Sequence, residues 1–164
     1  MTIRDAIDAD FEQILYLNEE SVRFLSPLSE DRLRRLHAQA TWHRVVEIDG
    51  RVGAFLLALP EGAVYDSVNY RWFAAHYERF LYVDRVVVAA SRQGLGFGRA
   101  LYQDLFTLAG AASIPRVTAE FDVEPPNEAS RLFHASFGFV EVARQSTGDG
   151  KKRVSLQVAE LSIR

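Results

Sequence analysis

Apolar residues recur along this chain in two rhythms, every second position and every third to fourth, and the switches between them mark its elements. A short strand opens the sequence at residues 3–7. Phe11, Ile14, Leu15 and Leu17 then form a helical stripe, with Asp10 and Gln13 spaced as a capping box and Pro27 ending the stretch. Ser29 stands as the N-cap of a second helix, with Glu30 and Asp31 in a first turn that favours negative charge. Residues 42–48 and 52–59 are β-branched, apolar runs joined by Asp49-Gly50, a pair suited to a hairpin turn with two positive φ angles.

Residues 60–79 break this regularity. They carry Tyr65, Tyr70, Trp72, Phe73 and Tyr77 with Asp66 and Asn69 between them, and part of the stretch is compatible with a short helix. A strand follows at 80–88, then a glycine-rich turn at 92–98. From Phe97, the set Leu101, Leu105, Leu108 and Ala112 recurs at helical spacing. Residues 116–121 read as a strand that Pro125-Pro126 breaks, and 127–137 as a short helix stopped by Gly138. Residues 139–143 and 154–160 make a last hairpin around Gly148-Asp149-Gly150. The order β-α-α-β-β-(insert)-β-α-β-α-β-β predicts an α+β fold: a mixed, mostly antiparallel central sheet flanked by helices. At 164 residues the chain is expected to form a single domain, 1–164.

Composition narrows the chemistry. The sequence has no cysteine, which excludes disulfides, thiolate metal sites and a cysteine nucleophile. A net charge of −3, with no basic tract beyond Lys151-Lys152-Arg153, argues against nucleic acid as a partner. No apolar run approaches the length of a membrane span, and the N-terminus lacks the apolar core of a signal peptide. A soluble, cytoplasmic protein is the expectation.

Gln93-Gly94-Leu95-Gly96-Phe97-Gly98 lies between a strand and a helix. Glycines there let backbone N–H groups converge on an anion at the helix N-terminus. A Walker loop would need Lys-Ser/Thr after Gly98, where Arg99-Ala100 stands, and a dinucleotide fingerprint would need glycine at position 99. A glycine-rich turn without a ligand is the plain alternative.

The run Val88-Ala89-Ala90-Ser91-Arg92-Gln93-Gly94-Leu95-Gly96-Phe97-Gly98 resembles the acetyl-CoA motif of the GNAT acetyltransferases, Arg/Gln-x-x-Gly-x-Gly/Ala. Gln93, Gly96 and Gly98 fill the defining places, and Ala90 replaces a common proline. The resemblance implies that the backbone of Gln93, Gly94, Leu95, Gly96, Phe97 and Gly98 holds the pyrophosphate of acetyl-CoA, with Arg99 adding charge. It implies too that the backbone of Val86 and Val88 pairs with the pantetheine arm. A second stretch, Asn127-Glu128-Ala129-Ser130-Arg131-Leu132-Phe133-His134-Ala135-Ser136-Phe137-Gly138-Phe139, is similar to the family's Asn-x-x-Ala-x-x-Leu-Tyr-x-x-x-Gly-Phe helix. Asn127, Gly138 and Phe139 match, and Asn127 is expected on the cofactor side. His134 occupies the place of the tyrosine that protonates the departing thiolate. An imidazolium is able to donate that proton near neutral pH. On a helical wheel Leu132, Phe133, Ser136 and Phe137 form the inner face and His134 points away from it, so a surface histidine is the alternative.

The attacking amine must lose a proton. Asp84, and Glu120, Asp122 and Glu124 in the acidic stretch after Arg116, are the candidates; the resemblance favours Asp122, five residues before Asn127. Asp84-Arg85 is equally readable as a structural ion pair. Tyr70, Trp72 and Tyr82 are expected to line the acceptor pocket, against the ordinary fate of aromatics as core. The resulting expectation is direct acetyl transfer from acetyl-CoA to a primary amine of a small molecule or amino acid, without a metal. Its rivals are a non-catalytic acyl-CoA sensor and a protein N-acetyltransferase. No nucleic acid or membrane partner is expected, and a homodimer stays open.

Overall fold

The computed structural model describes residues 1–22, 25–147, 150 and 152–161. Seven strands and five α-helices lie among them: β1 (Thr2–Asp5), α1 (Phe11–Glu20), α2 (Glu30–Gln39), β2 (Trp42–Ile48), β3 (Arg51–Pro60), α3 (Val68–His76), β4 (Leu81–Val88), α4 (Phe97–Ala111), β5 (Arg116–Glu124), α5 (Glu128–Ala135), β6 (Val140–Thr147) and β7 (Lys152–Glu160). The strand order is β1-β2-β3-β4-β5-β7-β6. β4 and β5 run parallel, while β1–β2, β2–β3, β5–β7 and β6–β7 are antiparallel. This is the mixed, mostly antiparallel α+β arrangement that the element order implies. The chain divides into two compact units, Met1–Leu59 with Val83–Leu108, and Pro60–Tyr82 with Ala109–Arg164.

In the first unit, Asp49 and Gly50 take φ of 52° and 76° and close the β2–β3 hairpin as its dipeptide demands. β3 is buried continuously from Val52 to Leu59, which is why it reads as an unbroken apolar run and not an alternating one. Ser29 caps α2, its hydroxyl accepting from Arg32 N at 3.1 Å. The capping box at Asp10 and Gln13 is absent. Asp10 accepts from the backbone N–H of Ile7 and from both Nη atoms of Arg4, and Gln13 Oε1 accepts from Val52 N of β3. A charge pair with β1 and a backbone donor at the start of β3 have outcompeted local capping. α1 and α2 place Phe11, Ile14, Leu17 and Leu33 against Val45, Val52, Phe55, Val87 and Ala89. The buried stripe of α4 is Leu101, Tyr102, Leu105 and Ala109; Leu108 is half-buried, and Ala112 lies past the end of the helix.

In the second unit the aromatic insert is α3, capped by Ser67, whose hydroxyl accepts from Tyr70 N at 3.3 Å. β5 runs on to Glu124, and α5 ends at Ala135. Gly148 and Asp149 of the last hairpin turn, and Lys151 of the basic tract, lie outside the described residues.

Candidate functional site

The glycine segment belongs to the first unit and is built from β4 forward. Ala89 N donates to Gly53 O at 2.9 Å, tying the end of β4 to β3, and a single 3-10 turn (Ala90–Arg92) follows. Gly94 and Gly96 then adopt φ of 80° and 85°, a left-handed conformation that L side chains rarely take. A Cβ at either position would meet no atom within 4 Å, so these glycines serve the backbone conformation and do not relieve crowding. Residues 93–96 are exposed, and Phe97 turns inward beside Gly53 as the first residue of α4. The exposed residues 93–96 thus precede a 15-residue helix, whose N-terminus is the kind of place where backbone N–H groups are able to meet an anion. Gly98 and Arg99 lie in the first turn of α4, with Arg99 exposed. On β4, Val83, Arg85 and Val87 are buried, and Asp84, Val86 and Val88 are half-buried on the alternate positions.

Arg85 is a charged residue buried at 4 % exposure on an inward position of β4. Its Nη1 donates to Asn18 Oδ1 at 2.8 Å and to Ser26 O at 3.2 Å, and its Nη2 to Ser26 Oγ at 3.1 Å. Its Nε donates to Asp84 Oδ2 at 2.6 Å, and both side chains are shielded from solvent. Asp84, one candidate base, is thus one half of a buried ion pair. The signal was a charged residue at an inward position of the alternation Val83-x-Arg85-x-Val87.

In the second unit Tyr70 and Tyr82 come together, their rings 5.5 Å apart, with Phe73 and Phe80 beside them. The Tyr70 hydroxyl donates to Pro60 O at 2.6 Å and accepts from Ala63 N at 2.9 Å; burial pushes its pKa up, against the Ala63 N–H. The Tyr82 hydroxyl donates to Glu120 Oε1 at 2.7 Å. Asn69 Oδ1 accepts from Gln145 Nε2 at 2.8 Å, linking α3 to β6. Trp72 is turned elsewhere, stacked on His76 at 3.8 Å and leaning on Phe73 and Tyr77, because two residues along a helix rotate it about 200° from Tyr70.

α5 reverses the helical-wheel reading. His134 is its buried residue at 5 % exposure, while Leu132 stands out at 57 %. The imidazole lies among Phe121, Phe133 and Phe139, with centroids 5.2–5.6 Å away. The tertiary environment, not the apolar count, chose the inner face. His134 Nδ1 is 2.7 Å from Ser130 O and 3.2 Å from Ser130 Oγ. A carbonyl only accepts, so Nδ1 carries a proton and, in the neutral ring, Nε2 carries the lone pair. Burial lowers the His134 pKa, opposed by the bond to Ser130. Because Phe121 of β5 faces His134, Asp122 points to the other face of that strand, where it pairs with Lys152 at 3.6 Å. Asn127, expected on the cofactor, uses its Oδ1 to cap α5 through Ser130 N at 3.2 Å.

A seven-stranded sheet in this order, with a glycine-rich turn between β4 and α4, has the architecture of the GNAT fold. The chain belongs to the acetyltransferase (GNAT) family, whose model matches residues 3–139. Its fold is similar to that of Ard1 from Thermoplasma volcanium (TM-score 0.80, 17 % identity, 98 % of this chain and 97 % of that one). It is likewise similar to the ribosomal-protein-S18-alanine N-acetyltransferase from Escherichia coli (0.76, 18 %, 99 % and 95 %) and the ribosomal-protein-alanine N-acetyltransferase from Brucella melitensis (0.74, 21 %, 98 % and 100 %). No curated protein matches the chain by sequence. Among the described residues, no helix is long and apolar enough to cross a membrane, and no group of three or more His, Asp and Glu side chains is arranged to hold a metal ion.

Proposed function

We propose that this protein transfers an acetyl group from acetyl-CoA directly to a primary amine of a small molecule or amino acid, acting in the cytoplasm as one domain. The observation that carries the reading is the pair of left-handed glycines, Gly94 and Gly96, exposed at the head of α4. Their geometry suits the pyrophosphate, with the backbone of residues 93–98 as donors and Arg99 as a nearby charge. Val86 and Val88 offer the strand backbone for the pantetheine arm, and an N–H there would polarise the thioester carbonyl.

The acceptor lies with Tyr70, Trp72 and Tyr82 in this proposal. Tyr70 and Tyr82 are core side chains at 2 % and 1 % exposure, so they would support the acceptor from beneath, with the Tyr82–Glu120 hydrogen bond as the polar contact. Trp72, stacked on His76, stands apart from them. Proton removal falls to Asp122 or Asp84, or to water beside them. His134 supplies the thiolate proton from Nε2 of its imidazolium, a form that burial disfavours. A thiol with a pKa of about 8.5 leaves without help at higher pH, so this donor matters most in acid. Asn127 supports the site by starting α5.

A protein, acetylated at its N-terminus or at a lysine, is the second acceptor class; the E. coli and Brucella structures are named for a ribosomal-protein alanine. A screen of amines, amino acids and peptides for thiol release from acetyl-CoA decides between these acceptors. Binding of acetyl-CoA without thiol release from any amine would instead identify an acyl-CoA sensor.

A further inference from the structure

His37 of α2 and His43 of β2 face each other through Nδ1, 2.8 Å apart, across the short turn that joins the two elements. At that distance the two nitrogens hold one proton between them, one ring donating and the other accepting. His43 is 5 % exposed, enclosed by Phe11 and Phe55, and its Nε2 is buried without a hydrogen-bond partner among the described residues. That orphan decides the tautomers. If His37 donated, His43 would have to carry its proton on Nε2 and bury an N–H with nothing to accept it, at about 1–3 kcal/mol. With His43 donating, Nε2 keeps only a lone pair and His37 places its own N–H on Nε2.

An added proton upsets this arrangement. On His37 it sets two Nδ1–H groups against each other, unless His43 changes tautomer and buries the orphan N–H. On His43 it buries a cation. We propose that the His37–His43 pair is a proton-sensitive latch that holds the end of α2 against β2 and releases it when the pair takes up a proton. Burial first, and His37 second, lower the His43 pKa to about 3, with Asp10 opposing. Asp10 is the surrounding charge that offers compensation, and it is the smallest of the three causes. Asp10 is engaged by both Nη atoms of Arg4 and by Ile7 N, and Arg4 also binds Glu47. Arg34, over the Phe11 ring at 5.2 Å, is paired with Glu30 and Asp8. On the other face of β2, Arg44 is held by Asp5 and Asp104.

The sign follows from the depressed value. The latch is intact above the ordinary histidine pKa of about 6.5 and weakens as pH falls toward 3. At pH 5.5 a released, solvated imidazole gains roughly 10-fold over the latched state. Hydrogen exchange of the full chain at pH 7.5 and 5.5, corrected for intrinsic rates, reads this directly. Wild-type amides of α2 should lose about 10-fold in protection on acidification, while those of β7 lose less. In His43→Phe the loss in α2 should disappear, and in His37→Asn it should shrink without vanishing, because His43 stays buried there. Long-range 1H–15N spectra of the imidazoles provide a second measurement: at pH 7.5 one Nδ1 should be protonated and its partner not. An acid loss in His43→Phe equal to that of the wild type, or two solvent-averaged imidazoles at pH 7.5, would overturn the latch.

Discussion

Arg85 sits where the alternation of β4 asks for an apolar side chain, and four described groups converge on it. Removing one side of a buried charge pair leaves the other uncompensated. Arg85→Ala is therefore expected to lower unfolding stability by about 3–5 kcal/mol in urea titration, and a loss under 1 kcal/mol would mean that the pair is not buried in solution. Gly96 answers to a different constraint, its φ of 85°. Gly96→Val should cost about 1–3 kcal/mol in strain and abolish the acetyl-CoA-induced rise in melting temperature. A folded variant that retains wild-type affinity for acetyl-CoA contradicts the proposed pyrophosphate site. For His134 the sign is set by burial, which lowers its pKa. Imidazolium is the donor form, so its contribution fades as pH rises. The ratio of wild-type to His134→Gln kcat should approach 10²-fold near pH 5.5 and shrink toward unity by pH 8. A ratio that stays flat across this range leaves His134 as packing for α5.

At the scale of elements, α5 and α3 show how caps and tertiary packing share the work. Both begin with a side-chain oxygen accepting from a backbone N–H, Asn127 for α5 and Ser67 for α3. Asn127→Ala should cost about 1 kcal/mol through the lost cap. If acetyl-CoA affinity is unchanged in that variant, the asparagine acts through the helix alone; a large loss of affinity gives it a cofactor contact as well. The existence of the strands and of α1, α2, α4 and α5 was legible in periodicity, α3 lay in a stretch only compatible with a short helix, and the β2–β3 turn was legible in a single dipeptide. α5 was not read correctly, because a wheel ranks Leu132 above His134 by hydrophobicity. What buries His134 is a ring of three phenylalanines drawn from β5, α5 and the residue just before β6. Likewise, no local pattern announces that Gln13 will serve β3 or that Asp10 will serve Arg4.

For the whole molecule, ligand binding and stability are linked by mass action. Acetyl-CoA at 100 times its Kd should add about 2.7 kcal/mol to unfolding, which raises Tm by several degrees for a chain of this size. A scan with and without acetyl-CoA checks this, and no shift at saturating ligand would remove the proposed donor. The sequence by itself determined the α+β element order, the family and the position of the glycine-rich turn before α4. These depend on short-range patterns: apolar spacing, turn dipeptides, and glycines that permit positive φ. Only the tertiary structure decided which charged and titratable groups are buried and whom they meet. It joined Arg85 to Asn18 and Ser26, Tyr82 to Glu120, and His37 to His43, and it turned Asp122 away from the face of β5 that His134 packs against. Such pairings depend on side chains brought together across different elements, where desolvation makes each partner matter, and spacing along the chain carries no record of them.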